Sequence, residues 1–167
     1  LATNRIFDVR RFTYGRPLAI HVVGSTGVGK DAVLEAMNIP WVLSDTERPL
    51  ESRDIPGITY NFVTKDSMDD SVERGELIDV TRVQYRNNNT YSYGIHRHRV
   101  LTMIESEVPV FAFRTNQDGF TPISRFCDIQ GIPIIRIFIL PNCPASEYFE
   151  RVRQERGEAR VATARAE

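Results

Sequence analysis

The sequence predicts an α/β protein with an open, mostly parallel sheet and helices on both faces. Three observations support this fold class. Residues 110–113 and 134–140 are continuous apolar runs, which are typical of strands covered on both faces in a parallel sheet. Strand-like and helix-like segments alternate along most of the chain, as crossover connections require. A glycine-rich turn at 24–31 lies between an apolar run and a helix-like segment.

Residues 44–94 interrupt the alternation with shorter strands and more loop, and this indicates an inserted lobe. Outside this lobe, predicted strands and helices alternate regularly. Because ligands of open α/β sheets sit at the carboxyl ends of the strands, we expect the glycine loop, the 44–60 loop and residues 114–116 to meet there. The predicted strands are 18–23, 41–44, 59–63, 77–83, 108–113 and 133–140. The predicted helices are 31–37, 67–74, 95–106, 121–129 and 145–156.

Composition narrows the class of protein. The chain has 167 residues, 41% hydrophobic and 26% charged, which is ordinary for one globular domain. The net charge of −1 gives no global field that would demand nucleic acid or a membrane. Cys127 and Cys143 match no zinc spacing, and we expect small buried thiols. No apolar run is long enough to span a bilayer and no signal peptide is recognised, so we expect an intracellular protein of undetermined compartment.

The stretch Gly24–Asp31 fits the phosphate-binding pattern G-x-x-x-x-G-K. Backbone N–H groups in such a turn point inward, and the following helix N-terminus adds positive potential, so a polyphosphate is held. Lys30 would reach the β- and γ-phosphates, whereas the alternative is a purely structural turn. The nucleotide-binding residues are expected to be Gly24, Gly27, Val28, Gly29, Lys30 and Asp31.

Asp31 departs from this pattern, because the residue after the lysine is normally Ser or Thr, whose hydroxyl binds magnesium. A carboxylate can also bind Mg²⁺, and Asp31 is therefore the candidate metal ligand. The alternative is that Asp31 only begins the helix, where an acidic side chain suits the dipole.

Several spaced segments beyond this loop resemble the guanylate kinase family. Ser44–Pro49 resembles the family's T-x-R segment, and Gly57–Val63 resembles its G-x-x-Y-x-F-V segment at a similar spacing. The resemblance runs in order through residues 18–167, and it implies a domain of that extent, an extension at 1–17, an acceptor-binding lobe at 44–94 and a partial lid at 156–167. The later matching segments are Glu73–Asp79, Tyr93–Gly94, Phe138–Pro141 and Arg156–Glu158.

The resemblance implies a nucleoside monophosphate site in the lobe. Arg48, Tyr60 and Tyr93 are similar to the family's ligands of the acceptor phosphate, and a guanidinium fork suits phosphate oxygens. Ser44 and Asp79 are similar to its base-reading pair, since a carboxylate accepts from the N1–H and exocyclic amine of guanine. Each residue also has an alternative interpretation when it is considered alone. Arg48 could be a surface loop cation, and Tyr60 could be an ordinary aromatic residue of a strand.

The family's lid arginines are matched by Arg156 and Arg165, with Arg151, Arg153 and Arg160 near enough to blur the assignment. Phosphoryl transfer is catalysed mainly by positioning and charge neutralisation, so such arginines matter. The alternative is a solvated helix face with interspersed glutamates. The resemblance thus implies Lys30, Arg48, Arg156 and Arg165 as catalytic residues.

Three departures weaken the catalytic pattern. Glu51 stands where a second phosphate-binding arginine is expected, unless Arg53 replaces it. Ile95 replaces a small hydroxyl residue after the Tyr-Gly pair. The carboxylate that should end the central strand is missing, and residues 114–116 are Arg, Thr and Asn.

Two functions follow as alternatives. The first is phosphoryl transfer from ATP, with Mg²⁺, to a nucleoside monophosphate, with GMP or dGMP preferred. The second is a catalytically degenerate domain that binds nucleotide or partners within a larger protein or an RNA–protein assembly. The Gly29–Asp31 and Tyr93–Ile95 segments also resemble the ribose-bisphosphate phosphokinases of phosphonate metabolism, a third alternative.

The segment His96–Arg99 is the densest basic cluster, and Arg5, Arg10, Arg11 and Arg16 lie near the amino end. A solvated helix face is the default interpretation of such a cluster. Contact with RNA phosphates or a protein partner through His96–Arg99 and the basic amino end is the alternative.

Overall fold

The computed structural model describes residues 13, 15–52, 54–85, 89–156, 158, 161 and 164–165, without the side chains of Glu155 and Arg156. The predictions for Arg5, Arg10, Arg11, Arg53, Arg160 and the Arg156 side chain lie outside these residues. In chain order, the elements are β1 (Leu18–Val23), α1 (Lys30–Met37), β2 (Asp45–Thr46), β3 (Asn61–Phe62), α2 (Lys65–Glu73), β4 (Leu77–Gln84), β5 (Thr90–His96), α3 (Arg97–Glu105), β6 (Val110–Thr115), α4 (Phe120–Gln130), β7 (Ile134–Phe138) and α5 (Ala145–Arg156). Over this part of the chain, no helix combines the length and apolar character needed to cross a bilayer.

A parallel three-stranded sheet with the order β6-β1-β7 forms the core. Side chains alternate between its two faces, and each face is covered by helices. Ala19, Phe111 and Phe113 pack with residues of α3 and α4 on one face. Ile20, Val22 and Ala112 pack with Leu34 of α1 on the other. The predicted α/β class with helices on both faces is therefore confirmed.

A second, four-stranded sheet with the order β3-β2-β5-β4 forms the lobe. Its β4 and β5 are antiparallel, and β2 joins them to the short parallel partner β3. The predicted strand at 41–44 is wrong in extent. Trp41 makes a single parallel bridge to Ala112, Val42 packs in the core, and β2 begins at Asp45.

The strand β5 is absent from the sequence prediction, which placed a helix start at residue 95. The helix α3 begins at Arg97, because Ile95 and His96 are paired with Asp79 and Leu77 in the lobe sheet. Pairing with β4, rather than local preference, determines this boundary. The other predicted strands and helices lie within a few residues of their observed positions.

His21 lies at the centre of β1, fully buried, with its Nε2 2.8 Å from Thr115 Oγ1. Burial, and secondly the charge of Arg136, lower the pKa of His21 from 6.5 to about 4. The unfolded chain therefore binds this proton between those two values and the folded chain does not. Stability should fall as pH drops through this interval, by about 3 kcal/mol in total.

Chemical denaturation at a series of pH values tests this expectation. The variant His21→Gln should lose this component of the pH dependence, whereas the variant of the exposed His98, His98→Gln, should keep it. An unchanged acid loss of stability in His21→Gln would contradict the assignment.

Candidate functional site

A cavity of about 500 Å³ lies between the carboxyl edge of the core sheet and the lobe. The glycine loop, the 44–60 segment and residues 114–116 all contribute to its wall, as predicted from the sheet topology. The predicted site residues that line it are Gly27, Gly29, Lys30, Asp31, Ser44, Arg48, Tyr60, Asp79 and Tyr93. One cavity thus brings together the phosphate loop and the predicted acceptor residues.

Two glycines of the loop have left-handed backbone angles, with φ of 79° at Gly27 and 101° at Gly29. Gly24 is required for a different reason, because an added Cβ would lie 2.8 Å from the carbonyl oxygen of Ile139. The hydroxyl of Tyr148 in α5 donates to the carbonyl oxygen of Thr26 at 2.5 Å. The turn is therefore held between the end of β7 and α5, and it leads directly into α1.

Lys30 is the first residue of α1, and its ammonium folds over the loop. Its Nζ donates to the carbonyl oxygens of Gly24 and, at 2.9 Å, Ser25. The charge is thereby held beside the loop amides, where a phosphate would lie. Val28 instead packs beside the cluster around Tyr148 and does not line the cavity.

Asp31 is paired with an arginine. Arg114 Nη1 donates to Asp31 Oδ1 at 2.7 Å, and Arg114 is buried while Asp31 is about half exposed. No group of three or more metal-ligating side chains occurs among the described residues. A magnesium ion on this carboxylate would lie close to a guanidinium, so the residues present do not fit the predicted metal site at Asp31.

Arg48 is also paired with a carboxylate. Its Nη1 and Nη2 lie 2.5 and 2.8 Å from the two carboxylate oxygens of Asp54, and both side chains are buried. Glu51, in place of the expected second arginine, lies 3.8 Å from the same guanidinium. Asp54 was not predicted from the sequence because it belongs to none of the recognised motifs. An acceptor phosphate would have to compete with Asp54 for the Arg48 fork.

Tyr60 lies between the two arginines. The guanidinium of Arg48 is 5.1 Å from its ring centre and that of Arg114 is 4.8 Å away. Tyr93 packs edge-on against the same ring, and its hydroxyl is 2.8 Å from that of Tyr85. Burial raises the pKa of Tyr60, so its phenol stays neutral and can donate a hydrogen bond.

Ser44 and Asp79, the predicted base-reading pair, are both more than nine-tenths buried at the cavity wall. Burial, and secondly the charge of Asp118, raise the pKa of Asp79 to about 6, while the hydroxyl of Thr81 opposes this shift. Thr81 also lines the cavity. Thr81 was missed because the family resemblance implies a hydroxyl at position 95, where Ile95 lies in the core.

Of the two predicted lid arginines, only Arg165 has a described side chain, because that of Arg156 lies outside the described residues. Arg165 lies 5.1 Å from the ring of Phe149 and does not line the cavity. Arg153 pairs with Glu150 and Glu158 on the exposed side of α5. These contacts match the solvated-face alternative for the segment, and the catalytic role of Arg156 and Arg165 stays a prediction.

The basic cluster His96–Arg99 is partly directed inward. Asp45, which is buried, accepts from Arg99 Nη1 at 2.6 Å and lies 3.0 Å from His96 Nε2. Asn61 donates to the same carboxylate at 2.9 Å. His96 and Arg99 therefore hold the lobe to α3, and a partner surface would have to rely on the exposed Arg97 and His98.

Comparisons with known proteins find similarity to guanylate kinases in sequence and in fold. No family model matches the chain. Guanylate kinase 2, chloroplastic/mitochondrial, of Oryza sativa subsp. japonica is 32% identical over 73 residues, which are 41% of this chain and 26% of that protein. The chain thus spans about a quarter of this relative's length.

The structural comparison extends further along the chain. The crystal structure of guanylate kinase from Anaplasma phagocytophilum matches with a TM-score of 0.60 and 18% identity, over 90% of this chain and 70% of that one. A match at this identity shows a shared fold. The chain is therefore similar to guanylate kinases in sequence over 73 residues and in fold over most of its length.

Proposed function

We propose that the chain transfers a phosphoryl group from ATP to GMP or dGMP. One observation carries the proposal: Lys30 of the phosphate loop lines the same cavity as the acceptor residues Ser44, Arg48 and Asp79. A donor polyphosphate on the loop and a guanine nucleotide in the lobe would thereby face each other. Phosphoryl transfer needs this positioning more than any strong base.

The acceptor would be read by its base and its phosphate separately. Asp79, when ionised, accepts from the N1–H and exocyclic amine of guanine, an edge that adenine lacks. Ser44 and Thr81 add hydroxyls at the same wall. Tyr60 and Tyr93 would donate to the phosphate without adding charge, beside the guanidinium of Arg48.

Magnesium, when bound with ATP, would lower the charge of the transferring phosphates. Because Asp31 is paired with Arg114, its carboxylate does not fit as a ligand of such an ion. Lys30 and the loop amides would bind the donor phosphates.

The proposal is tested by measuring ADP formation from ATP with magnesium, with GMP, dGMP and AMP as acceptors. Turnover that depends on GMP or dGMP, and is much weaker with AMP, is the expected result. Absence of turnover that depends on GMP or dGMP would refute it.

A second function, nucleotide binding without turnover, is favoured by one specific observation. Of the residues that the structure describes, two arginines line the cavity and both are paired with carboxylates, Arg48 with Asp54 and Arg114 with Asp31. These pairs lower the positive charge available to phosphate. Binding of ATP and GMP with no product formed would favour this degenerate function within a larger assembly.

Recognition of guanine should depend on pH because it needs the ionised carboxylate of Asp79. The pKa of Asp79 is raised to about 6, so the carboxyl loses its proton as pH rises through that value. The affinity for GMP relative to AMP should therefore increase across this range. AMP is the control because its phosphate titrates near the same pH.

Calorimetric titrations of both nucleotides below and above pH 6 test this point. The variant Asp79→Asn should bind GMP weakly, with a GMP-to-AMP ratio that no longer changes with pH. A ratio independent of pH in the unmodified protein would remove Asp79 from base reading.

A further inference from the structure

Arg114 lies between the two halves of the cavity. It is the fifth residue of β6, paired in register with Val22 of β1, and its side chain is buried. On one side, Nη1 donates to Asp31, next to Lys30. On the other side, Nη2 donates at 2.7 Å to the carbonyl oxygen of Thr59, the neighbour of Tyr60. The guanidinium thus bridges the phosphate loop and the acceptor lobe.

The guanidinium retains capacity to bind a ligand. Arginine carries five N–H donors in a fork that matches phosphate oxygens. The bonds to Asp31 and Thr59 use two of these donors. Arg114 also lines the cavity, so the remaining donors lie near space that a ligand can enter.

Negative charge would accumulate at this position during the proposed reaction. A phosphoryl group passing from the loop to the acceptor crosses the space between Lys30 and Arg48, and its oxygens carry the charge. Fixed cations in a buried site stabilise such charge strongly. The family resemblance implies a carboxylate at the end of this strand. The structure instead has a buried cation there, and the strand, β6, is an edge strand of the core sheet.

We propose that Arg114 is a catalytic residue that contacts the phosphates lying between donor and acceptor, and that Asp31 positions it. The inference rests on the proposed function. Arg114 would supply positive charge to the phosphates without a lid arginine and without a metal-binding carboxylate at this strand end. The opposing interpretation is a clamp that only joins the lobe to the core.

The test uses an adenosine–guanosine pentaphosphate, in which one ligand spans both sites, and compares it with ATP and GMP bound singly. In the full chain, Arg114→Gln should lose about tenfold to a hundredfold in affinity for the bridging ligand and less than about threefold for GMP. Arg114→Lys should lie between, because it keeps the charge without the fork. Arg82→Gln, at an exposed position of β4, is the control and should bind as the unmodified protein does.

The variant Asp31→Asn separates positioning from metal binding. Its amide oxygen can still accept from Arg114 but carries no charge, so affinity for the bridging ligand should rise, with or without magnesium. A magnesium ligand at Asp31 would instead give a loss of affinity seen only with magnesium, and that result would overturn the positioning role.

The remaining outcomes are also decisive. Unchanged affinity of both Arg114 variants for the bridging ligand would overturn the inference. Thermal unfolding must first show that Arg114→Lys is folded. If this variant then loses affinity equally for ATP, GMP and the bridging ligand, Arg114 only joins the lobe to the core. An unmodified protein that binds none of the three ligands would instead refute the proposed function, and the inference with it.

Discussion

Replacing Lys30 with alanine is expected to lower the affinity for ATP about tenfold to a hundredfold, the usual range for hydrogen bonds to a charged group. The ammonium lies over the loop, bonded to the carbonyl oxygens of Gly24 and Ser25. A polyphosphate on the loop amides would exchange these neutral acceptors for charged oxygens. The loss should therefore appear in binding as well as in turnover.

Lys65 is the other lysine of the chain and provides the matched control. It is exposed on α2, where it pairs with Asp69. Calorimetry should show that Lys65→Ala binds ATP as the unmodified protein does. If Lys30→Ala also retained full affinity, the glycine loop would be only a structural turn. Both variants should unfold at nearly the same temperature, because neither lysine contributes to the core.

The largest change in stability is expected for Arg48→Ala. The side chains of Arg48 and Asp54 are 3% and 6% exposed, and their bidentate pair is buried. Removing one partner leaves an uncompensated buried charge, which costs about 3–5 kcal/mol. The same variant should lose acceptor binding, so a loss of GMP affinity alone would not show a direct contact.

A double variant separates the two effects. Arg48→Met with Asp54→Leu replaces the ion pair by apolar side chains of similar size, which is often neutral for stability. Urea denaturation should show recovery of most of the stability, whereas calorimetry should show no recovery of GMP binding. Recovery of GMP affinity in the folded double variant would exclude Arg48 as a phosphate ligand.

The variant Asp54→Asn addresses the competition directly. The amide oxygen can still accept a hydrogen bond from Arg48, but the negative charge is gone. If Asp54 competes with the acceptor phosphate, this variant should bind GMP more tightly than the unmodified protein. The comparison also bears on catalysis, because a tight pair between Arg48 and Asp54 favours binding without turnover.

The glycine-rich turn and the α/β architecture were predictable because both depend on short-range patterns. The turn at Gly27 and Gly29 needs left-handed backbone angles that glycine adopts readily, and the strand before it is a plain apolar run. The lobe was predictable in outline because residues 44–94 interrupt the alternation of strands and helices. Its strand β5 was not, because the pairing with β2 and β4 that creates it is not encoded in local periodicity.

The sequence by itself determined the residues that a nucleotide site would need, from Lys30 on the loop to Ser44, Arg48 and Asp79 in the lobe. Only the tertiary structure decided which charged side chains of that site are paired with one another. Arg114 meets Asp31 across 83 residues of sequence, and no spacing rule predicts such a partner. Charges interact through space and most strongly where water is excluded. The packing of α1 beside β6 therefore determines that Asp31 neutralises Arg114, and hence how much positive charge a phosphate would encounter.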